Sequence, residues 1–259
     1  MSSLTRIHSP IQCALMAWVI AMASYSPACA QTAQVAGFPY PPLTNSSGTG
    51  IAPAIVASTF RAVGIDFQFE LLPVKRAFKV TKNGEAFFLG SLYGLPNGDG
   101  LEIAPVIVVR PTLLYRKGDF DFKPNASPDA IHQALTGRSV GLLFGYEDNP
   151  LLTKYGMKYE TFQNMTSAVK MLLSKRFDFL PCFEDIQCPR LIQLAQYEGV
   201  TVTPVPFKVA PSATIGLIYD KRSEKLATLA KAFNQSMKKR QASGEYGRLL
   251  LKETKSNGQ

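Results

Sequence analysis

The sequence predicts an α/β protein of two similar lobes, each a mixed, mostly parallel sheet flanked by helices, between which the chain crosses twice. Three observations carry this. The stretch from Asp66 to Leu89 reads as one β-α-β unit. Phe67, Phe69 and Leu71 alternate as in a strand, Pro73 suits the first turn of a helix, and Val74, Ala77 and Phe78 share one face of that helix. Gly84 is a natural C-cap, and the run from Ala86 to Leu89 reads as a buried strand. Second, the same grammar returns from Tyr159 to Phe183. There a strand leads through Asn164 into a helix with Ala168, Met171 and Leu172 inward, then a basic turn and a strand over Phe177 to Leu180. Third, strand material is interrupted at Arg110-Pro111, where Pro111 cannot donate to a central ladder, and Lys208 to Ser212 offers a second crossing. The strands of each β-α-β unit are expected parallel, with a right-handed crossover.

The elements follow in order. Residues 1–30 read as a secretory signal: Arg6 precedes the short apolar run from Cys13 to Ala23, and Ala28-Cys29-Ala30 closes it. That run is short of the ~20 residues needed to span a bilayer. Val35 to Tyr40 is expected as the first strand and Ile51 to Val63 as a helix with Ile55, Val56, Phe60 and Val63 inward, capped by Gly64. Gly94 to Gly100 is loop, and Val106 to Val109 and Leu113 to Tyr115 are strand on either side of the first crossing. Ser139 to Phe144 is a buried strand, and Pro150 opens a helix. A helix around Leu191 to Tyr197 precedes a strand over Val200 to Val205, and Thr214 to Tyr219 is a returning strand. Glu224 to Met237 forms a strong helix with Leu226, Leu229, Ala230, Phe233 and Met237 on one stripe. Tyr246 to Leu251 is a short last helix with a frayed polar tail. The division is therefore residues 31–110 with 213–259 for the first lobe and 111–212 for the second.

Composition narrows the chemistry. Without the signal, 28 basic residues less Arg6 against 19 acidic ones leave a charge of +8. No aromatic-interleaved basic motif accompanies that surplus, so it does not indicate nucleic acid. The four cysteines reduce to Cys182 and Cys188, a pair able to close a small loop in an oxidising compartment; spacing alone leaves the bond open. One histidine remains, His132, which argues against a metal site and against Ser-His-Asp or Cys-His nucleophile systems. No cofactor is expected.

This order of pieces resembles the family 3 extracellular solute-binding proteins, periplasmic receptors that feed ABC importers of polar amino acids and similar solutes. The matching stretches are FPYPPLT before a glycine-rich loop and helix, ELLPVKRAF, NGEAFFLGS, TLLYRKG, LTGRSVGLLFGYE, KRFDFL and ASGEYGRLLLK. The resemblance implies a two-lobed type II periplasmic-binding-protein fold, hinge closure around one ligand, a periplasmic monomer and an inner-membrane ABC permease as partner. Two features of the family's amino-acid binders have no counterpart. No arginine stands between Gly94 and Gly100 to fork a ligand carboxylate, and the position of the amine-binding acid holds Phe183.

Ligands of open α/β sheets bind outside the carboxyl ends of strands, which selects Tyr40, Ser91, Tyr93, Tyr146, Glu147 and Glu184. Tyr40 and Tyr93 either stack on a ligand or cover the hinge. Ser91 either donates to a ligand or caps its own turn. Tyr146 and Glu147 precede a helix whose free N–H groups favour an anion, unless Glu147 is an ordinary first-turn acid. Glu184 either meets a cationic group or lies exposed. Arg76 and Arg110 are the candidates to fork a carboxylate, with an inter-lobe salt bridge as the structural alternative. The leading expectation is a receptor for a small polar or charged solute, amino-acid-like or an organic acid. The alternatives are a cyclohexadienyl-dehydratase-like enzyme on the same fold and a ligand-sensing accessory subunit of a membrane signalling protein.

Overall fold

The computed structural model describes residues 31–92, 100–124 and 126–257; residues 1–30, read above as a signal, and Tyr93 lie outside the described residues. The elements run β1 (Thr32–Gly37), α1 (Ile51–Arg61), β2 (Asp66–Leu71), α2 (Val74–Lys82), β3 (Phe87–Gly90), β4 (Leu101–Val109), β5 (Pro111–Arg116), α3 (Pro128–Leu135) and β6 (Ser139–Leu143). There follow α4 (Pro150–Tyr155), β7 (Lys158–Phe162), α5 (Met165–Leu173), β8 (Leu180–Phe183), α6 (Cys188–Tyr197), β9 (Val202–Pro204), β10 (Ala213–Asp220), α7 (Glu224–Ala242) and α8 (Glu245–Asn257). Side-chain caps start several helices: Ser127, Asn149, Asn164 and Ser223 each accept a backbone N–H of the first turn.

One five-stranded sheet has the order β2-β1-β3-β10-β4. β1 pairs in parallel with β2 and β3, and β10 is antiparallel to β3 and β4. The two strands of the β-α-β unit are thus parallel but not adjacent, because β1 inserts between them. The intervening chain builds a second set. β5 lies antiparallel between β8 and β9, β6 and β7 are parallel, and a single parallel bridge from Val140 to Phe179 links them. The second order, β7-β6-β8-β5-β9, repeats the first strand for strand. Only Arg110 separates β4, in the first sheet, from β5, in the second.

Alternation along the strands divides the core into two faces. Val35, Phe87, Leu89, Ile215 and Leu217 pack on one face of the first sheet with Phe60 of α1 and Phe233 of α7. The Phe60 and Phe233 ring centres are 5.0 Å apart. On the opposite face Ala36, Phe88 and Ile218 join Val74 and Ala77 of α2, and this cluster continues without a break into Leu114, Leu143, Phe162 and Leu180 of the second set. Leu113, Val140, Leu142, Tyr155 and Phe179 form a third cluster beneath α3 and α4.

Several expected boundaries moved, for identifiable reasons. Phe177 to Leu180 is not the strand; β8 begins at Leu180. The Phe177 carbonyl is taken instead by buried Arg116, whose Nη1 lies 2.9 Å away and also holds the Leu172 carbonyl. β1 ends at Gly37 rather than Tyr40, because Tyr40 exchanges backbone hydrogen bonds with Thr44 in a tight turn, at 2.7 and 3.2 Å. The last helix does not fray after Leu251 but runs to Asn257. Its start is tied down where the Tyr246 hydroxyl donates to the Val106 carbonyl at 2.9 Å.

Candidate ligand-binding cleft

A cavity of about 110 Å³ lies between the two sets of strands. Phe38 and Tyr40 reach it from beyond the end of β1, Ser91 from the end of β3, Thr112 from the start of β5, Tyr146 from beyond β6, and Phe183 from the end of β8. Most of these are carboxyl ends of strands, the usual site of ligands in open α/β sheets.

The turn after β1 aims Tyr40. Its ring meets Phe38 edge-on at 5.8 Å and Phe183 at 5.9 Å. The amide of Gln187, fully buried, holds the Tyr40 hydroxyl and reaches the Pro41 carbonyl at 3.4 Å. Burial pushes the Tyr40 phenol up to about 12, the Gln187 hydrogen bond offsetting part of the effect. Tyr146 crosses from the other side. Its hydroxyl accepts the Ser91 backbone N–H, its ring lies 5.6 Å from Phe38, and burial raises its pKa further than that of Tyr40.

Two glycines permit that crossing. A Cβ on Gly90 would lie 3.0 Å from the Tyr146 hydroxyl oxygen. Gly145, at φ +102°, packs so closely on α2 that a Cβ would stand 2.7 Å from Val74. Beside this contact Lys75 reaches Glu147 at 3.4 Å and stands 4.4 Å over the Phe144 ring. The residues around Gly145 therefore latch the second set of strands onto α2.

A disulfide joins Cys182 and Cys188, with Cα atoms 5.4 Å apart, and closes the segment carrying Phe183, Glu184, Asp185 and Gln187. Phe183 lines the cavity and Gln187 meets Tyr40, while the two acids turn to Arg110, whose Nε is 3.0 Å from Glu184 and Nη2 2.6 Å from Asp185. The hydrogen bond to Asp185 and the charges of both acids raise the Arg110 pKa. Arg110 and Glu184 border a separate surface groove with Phe207 and Lys208.

The structure thus brings Tyr40, Ser91 and Tyr146 to one cavity. Glu147 lies at the latch, Arg110 and Glu184 pair with each other outside the cavity, and Arg76 is exposed on α2. Sequence reasoning did not single out Phe38 or Thr112 as cavity residues, nor Gln187 as the partner of Tyr40. Thr112 is 1% exposed and its hydroxyl has no partner. The only hint to it was its place directly after the Pro111 crossing. Among the described residues no Asp, Glu, Lys, Arg or His lines the cavity, and no group of His, Cys, Asp and Glu could hold a metal ion. Its polar groups among the described residues are hydroxyls and one amide, which donate and accept hydrogen bonds.

No protein-family profile and no curated protein matches the sequence. Solved structures do. The ligand-binding core of GluR0 from Nostoc punctiforme, in complex with L-glutamate, superposes with a TM-score of 0.67 at 20% identity, over 85% of this chain and 98% of that one. The amino acid ABC transporter substrate-binding protein AbpA from Streptococcus pneumoniae, bound to L-arginine, gives 0.68 at 13% identity, over 87% and 95%. A histidine kinase sensor domain with similarity to periplasmic binding proteins gives 0.69 at 18% identity, over 86% and 96%. Near-complete coverage of those chains, together with the repeated strand order and the single-residue passage at Arg110, establishes the architecture: the chain has the two-lobed type II periplasmic-binding-protein fold.

Proposed function

We propose that the protein is an exported receptor that captures a small organic solute between its lobes, residues 31–110 with 213–259 and residues 111–212, and presents it to a membrane partner. The observation that carries this reading is the cavity at the strand ends of both lobes, walled by Tyr40, Tyr146 and Phe183. The partner in this reading is an ABC permease, and the compartment is the periplasm; the signal-like segment 1–30 supports export. Tyr40, Ser91 and Tyr146 are the proposed ligand-facing residues.

The similarity to a kinase sensor domain favours a second reading, in which the same cavity reports occupancy to a signalling protein rather than delivering a solute. A dehydratase-like enzyme is less well supported, since no carboxylate lines the cavity among the described residues. A thermal-shift screen of the purified protein against amino acids, polyamines, organic acids, sugars and aromatic compounds tests the proposal. A ligand at about 100 times its Kd should add about 2.7 kcal/mol. The ligand recovered unchanged supports a receptor, and a transformed one supports an enzyme. No shift with any class removes solute capture as the function.

A further inference from the structure

We infer that Tyr146 is an internal occupant of the cleft: its phenol oxygen takes the place at the end of β3 that a captured solute's acceptor would take, so the protein closes on its own side chain and a solute enters by displacing it. The inference deepens the receptor reading above and rests on it. Ser91, directly after β3, gives its backbone N–H to the Tyr146 hydroxyl. β3 belongs to the first sheet, whereas Tyr146 follows β6, so this hydrogen bond joins the two sets of strands across the cavity that both residues line. The carboxyl end of a strand is where open α/β sheets hold ligands, and the donor there is already engaged by a protein oxygen.

The first sheet is shaped to receive this phenol. Gly90 has no positive φ, so its backbone does not require glycine; the close approach does. A Cβ there would stand 3.0 Å from both the Tyr146 hydroxyl oxygen and the Phe88 ring. Phe38 lies 5.6 Å from the Tyr146 ring and 5.8 Å from Phe88, so the phenol enters beside two aromatic side chains of the first set of strands. The neighbours of Tyr146 carry it there: Phe144 lies under Lys75, Gly145 meets Val74, and Glu147 pairs with Lys75. Of these four consecutive residues only Tyr146 lines the cavity. Its three neighbours hold α2, and Tyr146 alone stands where a solute would lie. Burial raises the Tyr146 pKa and keeps the phenol neutral, so no charge has to be moved when the side chain yields its place.

Closure and solute affinity are measured separately. Spin labels at exposed Lys79 of α2 and Lys154 of α4 report the distance between the two sets of strands. Tyr146→Ala should lengthen that distance in solute-free protein, and phenol at millimolar concentration, filling the vacated place, should return it to the wild-type value. Tyr146→Phe keeps the ring and removes only the hydroxyl; it should fold as wild type and lengthen the distance in part. An unchanged distance in either variant overturns the inference and leaves the receptor reading standing. So does a lengthened distance in Tyr146→Ala that phenol does not shorten. A solute found in the wider screen should bind Tyr146→Ala at least roughly threefold tighter than wild type, because no internal occupant competes with it. Equal or weaker binding makes Tyr146 a contact of the bound solute and also overturns the inference alone. Silence across the entire screen removes the receptor reading, and the label distances still decide whether Tyr146 closes the cleft.

Discussion

Tyr40 and Tyr146 show how single side chains take their chemistry from their surroundings. Both phenols sit where burial opposes ionisation, and each hydroxyl accepts one protein hydrogen bond, from Gln187 and from the Ser91 N–H. Their folded-state pKa values lie above the unfolded value near 10, so the neutral form is favoured by folding. The stability this contributes is complete below pH ~10 and is lost as pH rises through about 12, the folded value of Tyr40. Urea midpoints should therefore hold to about pH 10 and then fall steeply. Tyr40→Phe should flatten that fall, leaving the parts due to Tyr146 and to Tyr219, whose phenol is also raised to about 12 by burial and by Glu102. Phenolate absorbance followed over the same range checks the assignment; an unaltered titration in Tyr40→Phe would count against it. The sequence made Tyr40, Ser91 and Tyr146 visible because they follow strand ends, and strand ends are legible from alternation. It did not reveal Thr112 as a cavity residue, since a threonine on a strand looks the same in sequence whichever surface its side chain meets.

At the scale of elements, the disulfide segment is the part that decides which residues face inward. Five residues lie between Cys182 and Cys188; Phe183 lines the cavity and Gln187 holds Tyr40, while Glu184 and Asp185 bind Arg110. Replacing both cysteines by serine should cost about 2 kcal/mol in urea unfolding, the loop-closure value for so short a ring. Arg110→Ala, by contrast, should lower the urea midpoint much less, because its ion pairs are exposed. A larger loss for Arg110→Ala than for the cysteine pair would show that the ion pairs, not the covalent closure, hold the segment. β8 illustrates what periodicity misses. Phe177 to Leu180 has the composition of a strand, yet the Phe177 carbonyl belongs to Arg116, a partner 61 residues away in sequence. Hydrogen bonds from a distant side chain leave no trace in local pattern.

For the whole molecule, the question is what holds the lobes together. The apolar cluster under α2 runs continuously into the second lobe, and Gly145 approaches Val74 closely where the lobe meets α2. Gly145→Ala should keep the lobes apart, read as a longer distance between spin labels placed at exposed Lys79 and Lys154. Gly64→Ala is the control: Gly64 also has a positive φ, of +72°, but nothing lies within 4 Å of its added Cβ. Both substitutions carry the backbone cost of about 1–2 kcal/mol, and only the first carries the clash. Equal label distances in the two variants would mean that Gly145 does not set closure.

The sequence by itself determined the α/β class, the two β-α-β units, the crossing at Arg110-Pro111 and most helix faces, because these depend on periodicity, caps and proline, which act over a few residues. Only the tertiary structure decided that Arg110 and Glu184 satisfy each other, that Glu147 latches to Lys75, and that no charged side chain among the described residues lines the cavity. Charged side chains pair with whatever the fold brings within a few ångströms. That proximity depends on how β1 inserts between β2 and β3 and on how one lobe meets the other, neither of which is written in local pattern.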